Sequence, residues 1–402
     1  MSFPVNGGYH AAISGAPMHP AQQSIPPTPA SATRHLRPVL TDWLSQAVRL
    51  PKRRTCTPPV VWKVILFAAA FARSIAAACD AIAEAPSGQA IWDCLNATLP
   101  KRRRTLERHL LPALHAPLGK RKLSARLAID YHRIAYFGKP NADTTRAKQT
   151  AGTHTFHTYA TACIVGSPNR YTLGLTAVND REPMTDVLTR LLDQVARAKV
   201  TIRVVLLDKA FFSIAVMQLL QSRNLPFVIP AVIRGRKPRV GVKAVGLRAI
   251  RQRGAGRYGY THEDRSKSVR ICVVVTHKSY RHKKTGRRQS KKLLYATWRV
   301  AGEPVSIRDL YRKRFGVESS YRQLGQVRPR TSTTDGVVRL LWVAVGLILR
   351  NAWVQFGSEG GRRWTLGVAC LLLLTEILAT GVAHPQKRSS AESPNGQPRS
   401  PT

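Results

Sequence analysis

The chain has 402 residues, with 64 Lys and Arg against 21 Asp and Glu, a formal charge of +43. The length permits two or three domains and a sizeable core. The charge argues against an uncharged or basic partner, because so many like charges repel unless a polyanion neutralises them; nucleic acid is the obvious one.

Residues 1–38 are rich in Pro, Gly, Ser and Ala with no apolar period, and residues 384–402 are alike; both predict disordered tails. The N-terminus lacks a basic-then-apolar signal peptide. The six cysteines are scattered and form no C-x-x-C pair, which speaks against a zinc site or a disulfide framework and for free thiols in a cytoplasmic, nucleoid-associated protein. Residues 64–72 and 364–382 are apolar, but the first is too short to span a bilayer and Glu376 interrupts the second. Both read as buried helices, and no membrane is expected.

Residues 39–120 read as a helical domain. "PPVVWKVILFAAAFARSIAAACDAIAEA" is an Ala-rich helix after a proline pair. Two short helices follow, broken near Pro100, and the second carries Lys101, Arg102, Arg103, Arg104 and Arg108. A short helix, a turn and a basic helix have the form of a helix-turn-helix, which makes Arg102, Arg103 and Arg104 candidate DNA contacts; plain packing of a basic helix is the alternative.

From 121 to 231 the period becomes 2. "ARLAIDYHRIAYFG", "HTFHTYATACIVG" and "RYTLGLTAV" predict three strands, the first two separated by a basic loop containing Lys139, Arg146 and Lys148. A helix, the strand "IRVVLLD", a second helix and the strand "PFVIP" complete a mixed sheet with helices on it. Residues 232–303, dense in Arg, Lys and Gly, read as a basic β insertion with two clear strands. Arg287 and Lys291 in "GRRQSKK" are candidate DNA-backbone contacts, the alternative being a solvated turn. Residues 304–383 return to helix.

With so few acids, each can be weighed. Asp130 and Asp208 both follow a buried strand to the sheet edge, where ligands of open α/β sheets bind. A salt bridge to a neighbour, Arg133 or Lys209, would account for either alone. In "YRKRFGVESSYR", Tyr311, Arg314 and Glu318 fall on one stripe of a single predicted helix, continued by Tyr321 and Arg322, the alternative being an ordinary i, i+4 Arg–Glu pair on a solvated face. Three carboxylates meeting at the sheet edge would repel unless divalent cations lay between them. Hard oxygen donors suit Mg2+ or Mn2+, and two ions about 4 Å apart serve phosphodiester chemistry. Asp335 is a reserve third ligand or a helix cap. His154 and His157 lie at i and i+3 on a strand, facing opposite ways, so they are not paired ligands.

In this order the blocks resemble the DDE transposases of prokaryotic insertion sequences. "YRKRFGVE" is similar to that family's Tyr-x-x-Arg-x-x-x-Glu signature, "LAIDYHRIAYFGK" and "LLDKAFF" to its two aspartate blocks, and "GTHTFHTYATACIV" and "RPRTSTTDGVVRLLWVAVGLILRNAW" to the stretches after the first aspartate and the glutamate. The lysine that ends the longer signature is Gly325 here, so Arg322 or Arg328 would stand in. The resemblance implies an α/β, ribonuclease-H-like mixed sheet with flanking helices, an all-β insertion and an N-terminal helical domain. It further implies that Asp130, Asp208 and Glu318 hold two Mg2+ ions, that Tyr311 and Arg314 contact a phosphate, and that a homodimer bridges transposon ends on double-stranded DNA. The rival expectations are a nuclease of the same fold without strand transfer and an end-binding protein without catalysis.

Overall fold

The computed structural model describes residues 36–379 apart from 53–54, 168–169, 234–238, 240, 265, 283–284 and 360–363. Both expected tails lie outside the described residues, except that 36–38 already belong to the first helix. Among the described residues five α-helices precede the sheet: α1 (Leu36–Ala47), α2 (Pro58–Ala70), α3 (Ile75–Ala81), α4 (Gly88–Thr98) and α5 (Arg103–His115). The Ala-rich stretch expected as one helix is two, bent by 108°. Ala72 takes a φ of +50° after the last turn of α2, and Ser74 then caps α3, its Oγ accepting the Ala77 amide at 3.2 Å.

The sheet begins with β1 (Leu123–Ala135), β2 (Thr145–Thr150), β3 (Thr153–Val165) and β4 (Thr172–Val178). Helix α6 (Met184–Arg197), β5 (Val200–Leu207), α7 (Ile214–Ser222) and β6 (Phe227–Pro230) follow. Then come α8 (Gly246–Gln252), β7 (Gly256–Asp264), β8 (Lys267–Arg281) and β9 (Arg288–Trp298). The chain closes with α9 (Pro304–Arg312), α10 (Phe315–Gln326), α11 (Gly336–Glu359) and α12 (Leu366–Ala379). All nine strands form one sheet in the order β2-β3-β1-β5-β6-β9-β8-β7, with β4 also paired to β3. The antiparallel β4-β3-β1 meander continued by parallel β5 and β6 is the expected ribonuclease-H-like mixed sheet.

Two expectations about strands need correction. The basic loop after β1 contains a strand, β2, whose polar sequence TRAKQT hides its pairing with β3. The basic insertion has three strands rather than two, and it is not a separate unit. β9 pairs antiparallel with β6, so β7, β8 and β9 extend the central sheet.

Alternation sorts the core into faces. Leu127, Ile129, Val205 and Leu207 pack with Leu188 and Leu191 of α6 and Met217 of α7. Ala128, Val204 and Leu206 point the other way, toward Ile307, Tyr311 and Val317 of α9 and α10. The helices before the sheet share a third cluster with α11 and α12, including the fully buried Trp62 and Trp342. The expected helical domain and the C-terminal helices are therefore one body. Burying each large side chain there contributes roughly 1.5–3 kcal/mol, which neither group of helices could gain alone. Over Gly336–Gly357 α11 is long and apolar enough to cross a membrane, but 89% of an apolar 18-residue portion of it is buried inside the protein, as in a core helix. Asn351 fixes it in place: its Nδ2 donates to the carbonyls of Thr172 at 2.8 Å and Leu114 at 3.1 Å, and its Oδ1 accepts from the Thr172 amide at 2.9 Å.

Candidate active site

Strands β1 and β5 run parallel, and their last pair is Ile129 with Leu207. Asp130 and Asp208 are the next residue on each. By the pleat they share the face of Ala128 and Leu206, the face covered by α9 and α10. β1 continues to Ala135 paired only to β3, while the chain after β5 turns away through a 3-10 turn at Lys209–Phe211. That divergence opens the crevice beyond the carboxyl end of β5. A stacked pair joins the two segments: the Tyr131 and Phe211 rings lie 5.3 Å apart at 8°.

The glutamate arrives from the helical side. The single helix expected here is two, α9 and α10, interrupted at Lys313–Arg314, with Arg314 as the N-cap residue of α10. Glu318 lies in the first turn of α10, where a negative charge is favoured by the helix dipole. The helix is seated on the sheet by Tyr321, whose hydroxyl donates to the Asp130 carbonyl at 2.7 Å, lies 2.8 Å from Thr161 Oγ1, and whose ring stacks on His132 at 4.5 Å. Gly316 permits the approach, since a Cβ there would sit 3.2 Å from Val165 Cγ1.

Arg314 is the hub. Its Nη1 donates to Asp130 Oδ2 at 2.8 Å and its Nη2 to Glu318 Oε1 at 2.6 Å. The arginine is 5% exposed, and its Nε has no hydrogen-bond partner. Burial works against its charge, yet Tyr311, Asp130, Asp208 and Glu318 together lift its pKa above the usual arginine value. Burial likewise raises the Asp130 carboxyl above the ordinary range, and Asp208 adds to this, while Arg314 and the Tyr131 amide oppose it. The neighbours weighed as alternative partners do not serve: Asp130 pairs with Arg314 rather than Arg133, and Asp208 forms no ion pair with any described residue.

Asp130 and Glu318 thus share one guanidinium, and Asp208 stands beside Asp130 on the adjoining strand, where its charge is felt at both Asp130 and Arg314. Among the described residues no group of three or more His, Cys, Asp or Glu is close enough to hold a metal ion. In this arrangement the Arg314 guanidinium lies between Asp130 and Glu318. The donor set suits a divalent ion in charge and hardness, and the guanidinium marks where a cation is stabilised.

The other candidate residues are distributed more widely. Tyr311 is buried, its ring 5.0 Å from that of Tyr295, with the Arg314 Cζ 5.8 Å from its centre; burial drives its hydroxyl pKa well up. Arg322 is exposed one turn beyond Glu318, and Arg328 is half-buried, its pKa lowered by burial and by Arg330. Lys139 is exposed on the loop after β1, and Arg287 and Lys291 are exposed on the β8–β9 hairpin, where Lys291 sits opposite Lys278.

The expected helix-turn-helix takes a different form, because α5 packs inside the molecule against β4, α1 and α11. Arg104 bonds Glu107 at 2.9 Å and Glu182 at 3.0 Å, and Arg103 bonds Asp143 at 2.8 Å. Arg102 is exposed, and with Lys101, Arg103, Asp143, Asn179 and Asp335 it lines a cleft of about 470 Å³. Asp335, the reserve ligand, instead caps α11, accepting the Val337 amide at 2.7 Å. His154 is exposed and His157 buried, consistent with their opposite facing.

Sequence reasoning missed Tyr321 as the residue that seats α10 on Asp130, and it missed Arg314 as a partner of Asp130; the Arg314–Glu318 pair at i, i+4 was readable from the spacing. The available signal was the stripe itself, which carries Arg314, Glu318 and Tyr321 at helical spacing.

Comparison with known proteins agrees with this geometry. Residues 124–351 match the family model described as the transposase DDE domain. Among solved structures, the piggyBac transposase in a synaptic complex with hairpin DNA is similar in fold, with a TM-score of 0.52 at 11% identity, covering 89% of this chain and 81% of that one. No curated protein matches in sequence. The matched segment, more than half of the chain, spans Asp130, Asp208 and Glu318, and the chain belongs to the DDE transposase family.

Proposed function

We propose that this protein is an insertion-sequence transposase that cuts DNA at transposon ends and joins the freed ends to target DNA, in a divalent-metal-dependent reaction. The observation that carries this reading is the Arg314 guanidinium shared by Asp130 and Glu318 at the sheet edge, beside Asp208 on the adjoining strand, within the segment that matches the transposase DDE domain. Asp130, Asp208 and Glu318 would hold Mg2+, or Mn2+ in its place. When bound, such ions make the attacking oxygen a better nucleophile and stabilise the leaving oxygen of an in-line displacement at phosphorus.

The chain's own residues have separable tasks. The two aspartates and the glutamate supply the negative field and the oxygen ligands. Arg314, with Tyr311 beneath it, is placed to hold a non-bridging phosphate oxygen next to the cut. Tyr321 fixes the height of α10 above Asp130, so that Glu318 and Asp130 keep their spacing. The charge of +43 supports a nucleic-acid substrate. Exposed Arg102, Lys139, Arg322, Arg287 and Lys291, with half-buried Arg328, would grip the DNA backbone, and two copies of the chain would bridge a pair of ends in the cytoplasm. The piggyBac neighbour was solved as a synaptic complex with hairpin DNA, which favours DNA end handling for this chain as well.

The test is a reaction of purified protein with Mg2+, a labelled duplex carrying the element's terminal repeats, and a supercoiled target. Joined products are expected, and Asp208→Asn removes them without abolishing duplex binding. Cut ends that never join would assign the chain to nucleases of the same fold; binding with no cleavage under any divalent ion would overturn the enzymatic reading.

A further inference from the structure

Arg314 stands where the proposed metal would stand. Two of its nitrogens are taken by Asp130 and Glu318, and Asp208 lies next to Asp130 on the adjoining strand. A guanidinium and a divalent ion cannot both hold the same carboxylate oxygens. While the arginine is in place, Oδ2 of Asp130 and Oε1 of Glu318 are occupied.

The grip is incomplete, and that is informative. The buried Nε–H has no partner, so one prong of the fork is unused in this arrangement. A guanidinium that presents Nε and Nη2 together to one oxyanion satisfies both, and phosphate is a natural acceptor for that geometry. The surroundings also permit movement. Arg314 lies at the break between α9 and α10, outside either run of regular helix. Its Cζ is 5.5 Å from the centre of the Phe315 ring, which is 51% exposed and offers an aromatic surface leading to solvent.

We infer that Arg314 is a latch that keeps divalent cations out of the site until DNA arrives: a DNA phosphate draws the guanidinium off Asp130 and Glu318, and the released carboxylates then accept the metal. Metal binding and DNA binding are coupled through one side chain, each favouring the other. The chain without DNA is held inactive, which guards against metal-dependent cleavage at random. This rests on the proposed function, since it presumes a metal-holding carboxylate site.

The test measures Mn2+ binding directly, by calorimetry and by the electron paramagnetic resonance of free Mn2+, with no reliance on turnover. Wild type and Arg314→Gln are each titrated with and without a duplex carrying the terminal repeats. Without DNA, Arg314→Gln is expected to bind Mn2+ at least about tenfold more tightly than wild type, because the competing cation is gone. DNA is expected to tighten Mn2+ binding to wild type by a similar factor and to change Arg314→Gln little. If Arg314→Gln does not fold, Arg314→Met carries the same comparison, removing the charge while keeping much of the side chain's bulk. A wild type that binds Mn2+ equally well with and without DNA, or an Arg314 variant that binds it no more tightly, overturns the latch and leaves the proposed function standing. A protein that binds no Mn2+ in any form, with or without DNA, overturns both.

Discussion

The Tyr321 hydroxyl donates to the main-chain carbonyl of Asp130 at 2.7 Å, so the residue three positions after the glutamate holds the backbone of the first aspartate. This bond ties α10 to β1 across a gap of 191 residues in sequence. With the Arg314 bridge between the two carboxylates, it sets the separation of Asp130 and Glu318.

Tyr321→Phe keeps the ring on His132 and loses only the hydroxyl. Removing that hydroxyl should lower stability by about 1–2 kcal/mol, because the Asp130 carbonyl and Thr161 Oγ1 lose a partner. End cleavage should slow by more than the change in stability explains, since the acids lose their spacing. Urea unfolding and a single-turnover cleavage rate on the same preparation check both parts.

Glu107 is 4% exposed and joins α5 to β4: it accepts the Ala177 amide at 2.8 Å and the Thr176 hydroxyl at 3.0 Å, beside Arg104. Glu107→Ala should destabilise by roughly 3–5 kcal/mol, the usual result of removing one member of a buried charged pair. Glu107→Gln should be milder, since it keeps an oxygen for the Ala177 amide. Chemical denaturation of the two variants side by side decides this.

Asn351→Ala leaves the Thr172 amide and the carbonyls of Thr172 and Leu114 without their buried partner. A loss of about 3 kcal/mol or more is expected, at roughly 1–3 kcal/mol per stranded group with partial relaxation. Amide exchange at Thr172 should rise by a larger factor than exchange in β5 or β6, because the damage is local to the β4 edge. Equal acceleration throughout would contradict this.

Stability should fall in acid through His157. Burial, reinforced by Arg339 and Arg103, pushes its pKa down to about 4 from the ordinary 6.5. The unfolded chain takes up this proton first, so the contribution is complete above pH 6.5 and declines as pH falls toward 4. The slope from this residue is at most about 1.4 kcal/mol per pH unit. His157→Phe, which keeps a ring against Tyr136, should flatten the stability profile across that window; an unchanged slope would assign the effect to other groups.

The part of the site legible in sequence was the part written locally. Asp130 and Asp208 stood out because each ends a short apolar run on a strand in a chain poor in acids, and Glu318 because of its helical spacing from Tyr311 and Arg314. Arg314 as the partner of Asp130 was not legible, since the contact spans 184 residues and depends on how α10 meets the sheet. The same limit hid β2, whose polar strand forms only because β3 offers an edge, and the break at Lys313–Arg314, which pattern alone does not encode. The helices before and after the sheet were recognised as apolar. That they complete one another could not be read from either, because a helix buried all round carries no directional stripe to say what surrounds it.

The pairing of β9 with β6 has a mechanical consequence. β5, which leads into Asp208, lies two strands from β9, about 10 Å at ordinary strand spacing, with hydrogen-bonded ladders between them. The exposed cations of the β8–β9 hairpin are rooted in that same stiff lattice and not on a hinged arm. The distance from the hairpin's root to the second aspartate is therefore set by the fold, and the sheet acts as a ruler: lengthening the hairpin would change where a bound strand is gripped, but not where it is cut.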